Sequence, residues 1–225
     1  SLLVLDGQHR LFGYQKCSIR HRVPVAIYSG LSRSEEAKLF VDINTTQRGV
    51  PAALLLDIKQ VAQIETVREQ MLRSDFDRLN SDPESALLSR LSPQKSVAGK
   101  LSRVTFNRAV GPILESGLLK ELESEQRYRL LRNYLNAFDA ELRDKSLLTR
   151  SSFFEAIFEL FETIVQGAIS SDKNAKQNSI QKIIQPIARL DYRGSGSRAI
   201  LDKRAIVATM QSALRTMTSL SDEML

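Results

Sequence analysis

The chain is poor in the residues that staple or metallate small folds. Its 225 residues include one cysteine, Cys17, and two histidines, His9 and His21. A lone thiol closes no disulfide within the chain, and no CxxC or His/Cys ligand spacing is present, which leaves out a disulfide framework and a structural zinc site. That usage fits a reducing, cytoplasmic setting. No stretch approaches the roughly 18 uninterrupted apolar residues of a membrane span, so no membrane partner is expected. Nor does a charged n-region lead into an apolar h-region and a small-residue cleavage site, as in a signal peptide. Fixed-period repeats are absent. The acids are scattered over prospective helix surfaces, with Glu121, Glu123 and Glu125 reading as a solvated stretch near a helix start. Metal-dependent nuclease chemistry, which needs clustered carboxylates, therefore has only Asp6, with Asp42 and Asp57 as distant contributors. The chain also begins without methionine and inside an apolar run, and the expectation is that a native N-terminal portion precedes it and completes any site it shares.

What is present belongs to a soluble globular protein: 42% apolar and 26% charged residues, in a length that fits one large domain or two small ones. The formal charge of +6 fits a polyanionic partner, because neutralising phosphates releases counterions.

The pattern along the chain changes once. Residues 1–50 alternate strand and helix signals: Leu2 to Leu5 as a short buried strand, Arg10 to Ile19 as a helix, and Val23 to Tyr28 as a second, β-branched strand. Ser32 or Ser34 then caps a helix through Asn44, with Glu35 and Glu36 in its positive first turn. From Pro51 no convincing strand appears. Leu54, Ile58, Val61, Ile64, Val67 and Met71 recur at helical spacing, as do Tyr128, Leu131, Leu135, Phe138 and Leu142, and similar patterns run through Phe153 to Val165, Ile180 to Leu190 and Ile206 to Met217. The expected fold is α+β and mostly α: a small α/β unit over 1–50, then an all-helical bundle over 51–225.

Chemistry-bearing residues concentrate in 5-LDGQHRLFGY-14, where a strand hands over to a helix. The first amides of a helix lack partners and carry the positive end of its dipole, so they favour an anion, to which Arg10 adds a bidentate contact. Gly7 allows close approach to the backbone. Asp6 suits a metal-bound water or a sugar hydroxyl, and His9 can donate to a phosphate oxygen or move a proton near neutral pH. The same residues also read as a capped turn, with Asp6 as the cap, Gly7 as the turn and Arg10 paired to a surface carboxylate. On the local chemistry alone the capped turn is the leading reading. A second polar turn, Asn44-Thr45-Thr46-Gln47-Arg48-Gly49, either faces the first across the strand ends or is a helix C-cap with Asn44 in the left-handed conformation.

The string VLDGQHRLFGYQ, followed by PVAIYSGLSRSEEAKLFVDINTTQRGVP, resembles the DGQHR-domain family of DndB- and DpdB-like proteins associated with DNA modification. The resemblance covers residues 1 to about 58 through two ordered motifs, and 101-LSRVTFNRAVGPIL-114 looks like the family's later helical segment. It implies a ParB/sulfiredoxin-like core that binds nucleotide phosphates, fused to a helical domain. It also implies a role in DNA phosphorothioation or deazaguanine systems and phage defence, as an ATP-hydrolysing component or as a DNA-binding regulator. By position, Asp6 and His9 would be catalytic, Asp6 would also touch Mg²⁺, and Gly7, Gln8, Arg10, Asn44, Thr46, Gln47 and Arg48 would hold the nucleotide. Other proteins of such a system, or further copies of the chain, are the implied protein partners.

Outside that region, Arg193, Arg198 and Tyr192 flank the turn Gly194-Ser195-Gly196-Ser197, which lacks the lysine and spacing of a P-loop. The arginines could hold DNA phosphates and Tyr192 could stack on a base, or the segment is a flexible loop with ordinary surface charge. Arg103 and Arg108 form a second basic candidate. His21, between Arg20 and Arg22, reads as a solvated edge or a phosphate-facing patch. Cys17 is expected as a small core residue.

Overall fold

The computed structural model describes residues 3–19, 22–46, 51–93, 97–194 and 200–218, and of 44–46 and 216–218 it describes the backbone alone. The fold is mostly helical with one small parallel sheet. It divides into two compact units, Ser1–Val67 and Arg68–Leu225.

The first unit contains α1 (Gln8–Gln15), α2 (Arg33–Thr46) and α3 (Ala52–Val61). Helix α1 is shorter than the expected Arg10–Ile19. Its last turn tightens through Lys16 and Cys17, whose amides donate to Gly13 and Tyr14 three residues back, and Cys17 is exposed rather than in a core. Residues 3–4 and 22–29 carry no strand pairing. The β-branched run Val23 to Tyr28 has the propensity for a strand, but among the described residues no ladder partner holds it, and Val25, Ile27 and Tyr28 are exposed. His21 lies outside the described residues.

Two features fix the ends of α2 and α3. Ser32 caps α2 reciprocally: its hydroxyl accepts from the Glu35 amide at 3.3 Å, while Glu35 Oε2 accepts from the Ser32 amide and hydroxyl, each at 2.7 Å. Ser34 instead donates to the Ala62 carbonyl at 2.9 Å, tying α2 to the end of α3. Helix α3 stops where Gln63 turns left-handed, φ 57°. The Gln63 amide then donates to Gln60 O and the Ile64 amide to Lys59 O, the paired bonds of a Schellman cap. The apolar row from Leu54 to Met71, expected as one helix, is therefore two.

The second unit runs through α4 (Val67–Ser81), β1 (Leu91–Ser92), β2 (Leu101–Ser102), α5 (Arg103–Glu115), α6 (Ser124–Glu141), a 3₁₀ turn (Lys145–Thr149), α7 (Ser151–Glu159), α8 (Phe161–Asp172), α9 (Gln177–Ala188) and α10 (Lys203–Thr218). β1 and β2 pair in parallel, Leu91 opposite Leu101. Two residues per strand are too few for a period-2 pattern to show in the sequence, which is why no strand was expected there.

The core of this unit is aromatic. Tyr134 on α6 meets Phe138, Phe158 and Phe161 with ring centroids 5.1, 5.6 and 4.8 Å away, and its buried hydroxyl donates to Ile157 O at 2.5 Å. Phe106 on α5 joins Phe76 of α4 to Phe154 of α7. Burying each such ring stabilises by about 1.5–3 kcal/mol, with about 0.5–1.5 more per well-placed aromatic pair. The row Tyr128, Leu131, Leu135, Phe138 and Leu142 is buried throughout, as its spacing predicts. The row Phe153 to Val165, expected as one helix, breaks at Leu160, whose amide donates to Ile157 O three residues back. The bend between α7 and α8 lets apolar residues on more than one side of the row reach the same core.

Candidate functional site

The opening cluster is built around the amino end of α1. Gly7 holds φ +85°, a left-handed conformation that glycine adopts without a side-chain clash, and its carbonyl receives the first intrahelical bond, from the Leu11 amide at 2.9 Å. The amides of Gln8, His9 and Arg10 precede that bond and form the electropositive first turn. Arg10 folds back over this turn. Its guanidinium donates to Asp6 Oδ2 at 3.0 Å, and a Cβ built on Gly7 would lie 3.3 Å from Arg10 Nη2. Arg10 keeps 67% of its side chain exposed and Asp6 31%, so the pair sits at the surface and holds little stability of its own. Gln8 donates to Val4 O at 3.0 Å, fixing the approach of the chain to the helix. His9 is exposed.

Structure therefore brings Asp6, Gly7 and Arg10 together. Chemically this is an anion-type donor set, amides plus guanidinium, with one carboxylate beside it. That set fits a phosphate, and it fits Mg²⁺ only as an ion held mainly by phosphate oxygens and water, with Asp6 as its single protein ligand. Among the described residues no three His, Cys, Asp or Glu side chains form a metal-binding group.

For the second motif, Asn44 and Thr46 lie within the helical backbone of α2, which runs to Thr46. Asn44 is thus inside the helix and is not its left-handed cap. Gln47 and Arg48 lie outside the described residues.

The basic candidates of the second unit separate. Arg103 opens α5 but is buried, 3% exposed, and so does not offer its charge to an external polyanion. Tyr192 is 2% exposed; its ring packs edge-on against Phe153 at 5.2 Å and its hydroxyl donates to Ile187 O at 2.6 Å. No face of that ring is open to a base, and the aromatic flanked by arginines is a core residue that closes the end of α9. Arg108 is exposed and pairs with Glu155 at 3.2 Å. Arg193 is 88% exposed, with Asp191 at 3.7 Å. Arg198 lies outside the described residues. Two further arginines, Arg143 and Arg150, were not singled out from the sequence because no motif surrounds them; only the packing of α6, α7 and the segment after α9 puts them in one region.

No helix among the described residues is long and apolar enough to cross a membrane. Comparison of the chain with protein-family models, with curated proteins and with solved structures finds no match in any of the three.

Proposed function

We propose that this chain is a nucleotide-dependent, DNA-associated component of a bacterial DNA-modification or defence system, with the amino end of α1 as its phosphate site. The observation that carries the reading is the Arg10 guanidinium drawn across Gly7 onto Asp6, over a turn whose first amides have no helical partner. The ordered motifs at 6–10 and 40–50, which resemble the DGQHR-domain family, supply the biological context. In this reading Arg10 and the amides of Gln8 and His9 bind phosphate, and a nucleotide with Mg²⁺ is the ligand. Asp6 orients a water or the ion, and His9 assists proton transfer in ATP hydrolysis. Asn44, Thr46, Gln47 and Arg48 complete the nucleotide contacts. ATP turnover by the full-length protein is the test: Asp6→Ala and His9→Ala are expected to abolish it, and unchanged rates in both would refute these roles.

A second reading, a non-enzymatic DNA-binding regulator that senses nucleotide, is favoured by one observation. The Asp6 Oδ2 is already taken up by the Arg10 guanidinium at 3.0 Å, so that oxygen is not open to orient an attacking water. It calls for salt-sensitive DNA binding, altered by ATP without turnover.

A further inference from the structure

From the second unit we infer that the DNA contacted is duplex, and that it is held by its phosphates, with no base stacking, on the surface formed where α6 ends and α7 begins, through Arg143, Arg150 and Arg193. The inference rests on the DNA component of the function proposed above.

Three separate segments bring these arginines to one region. Arg143 follows Leu142, the last residue capping α6, and Arg150 stands immediately before α7, at the end of the 3₁₀ turn. Arg193 is fixed nearby by its neighbour, because the Tyr192 ring is wedged against Phe153 in the first turn of α7. Asp144, which caps the 3₁₀ turn by accepting from the Ser146 amide at 2.9 Å, lies among them. Bonds from Ser146 hold its carboxyl below the usual aspartate range, and Arg150 and Arg193 add to that effect, so both guanidinium groups act on the same point.

Several, though not all, of the other arginines in the unit are closed on carboxylates. Arg68, Arg78, Arg108 and Arg132 each have an acid oxygen within 2.6–3.2 Å. Among the described residues no carboxylate oxygen lies within the 4.0 Å of an ion pair from Arg143 or Arg150. Arg193 has only Asp191 at 3.7 Å, with the two side chains 88% and 71% exposed, a pair that water already screens and that a phosphate would displace at small cost. Planar guanidinium groups suit bidentate phosphate contacts.

The unit has nothing with which to stack on bases. All ten of its aromatic residues, Phe76 to Tyr192, are buried, and the sequence has no tryptophan. Proteins that grip single strands depend on exposed rings for much of their affinity, whereas phosphate contacts position a protein on a duplex without reading its sequence. Duplex is therefore the partner the surface fits.

The experiment is a salt titration of the full-length protein with a labelled duplex, the same sequence as a single strand, and an unrelated duplex. The wild type is expected to bind both duplexes alike and the single strand more weakly. In the triple variant Arg143→Ala, Arg150→Ala, Arg193→Ala the log–log salt slope should fall by about 2–3, at about 0.9 per phosphate contact. The triple lysine variant should keep the slope, and a matching ATP affinity in all three proteins shows that the nucleotide site is intact. An unchanged slope in the alanine variant, with the wild type binding duplex, would overturn the surface and leave the function standing. Equal or tighter binding of the single strand would overturn the mode. A wild type that binds neither form at low salt would overturn the DNA component itself.

Discussion

Arg127 on α6 donates from Nε to Oδ2 of Asp75 on α4 at 2.8 Å, with 5% and 0% of the two side chains exposed. Among the described residues Asp75 Oδ1 has no hydrogen-bond partner. Burial raises the Asp75 carboxyl above its usual range, and the Arg127 bond offsets only part of that. Removing one member leaves the other charge stranded inside the unit. Asp75→Ala is therefore expected to cost about 3–5 kcal/mol, whereas replacing both by apolar residues of similar volume, Asp75→Leu with Arg127→Met, should recover most of it. Urea unfolding of the single and double variants measures both.

That raised value has a pH sign. The folded state disfavours ionised Asp75, so its contribution is best below the ordinary aspartate range and declines as pH rises through its folded value. Asp82 has the opposite sign. The Tyr128 hydroxyl, then the Glu84 amide and Arg132, hold its carboxyl below the usual range, so its contribution is present above the unfolded value and is lost as pH falls through the folded one. Tyr128→Phe removes the largest of these bonds and should move that loss to higher pH, an acid-unfolding midpoint readable by circular dichroism. An unmoved midpoint would show that Arg132 and the Glu84 amide suffice.

Gly117 sets the turn between α5 and α6 at φ +110°, and a Cβ there would fall 1.4 Å from Glu162 Oε1. That same oxygen accepts from the Leu118 amide at 3.2 Å. Gly117→Ala combines a left-handed backbone with displacement of Glu162, and a loss of about 2–3 kcal/mol is expected in thermal or urea unfolding. Glu162→Gln, which keeps an acceptor in place, should cost less.

The sequence reveals the helical unit well where one residue in three or four is apolar, as in Tyr128 to Leu142, because burial of one face decides the structure there. It conceals breaks that carry no glycine or proline. Gln63 takes a left-handed cap without being glycine, and Leu160 bends an apolar row whose pattern continues through it. Val23 to Tyr28 shows the limit of strand propensity, which specifies a pleated surface but no partner. At the candidate site the turn at Gly7 is legible in the sequence, but the Asp6–Arg10 pair is not. The capped-turn reading makes Asp6 the helix cap and gives Arg10 some other surface carboxylate, whereas Asp6 stands before the left-handed Gly7, makes no cap bond and receives Arg10 itself. Tyr192 was misleading for a physical reason: its neighbours are surface arginines, but its ring direction is set by Phe153.

The phosphate site at α1 is tested most directly by calorimetric titration of the full-length protein with ATP and Mg²⁺, alongside Arg10→Ala and Arg10→Lys. A charge-assisted bond of this kind is worth about 1.5–3 kcal/mol, so Arg10→Ala should weaken binding by at least about tenfold, with Arg10→Lys in between. Wild-type affinity in Arg10→Ala would contradict the site and return the Asp6–Arg10 pair to a surface turn.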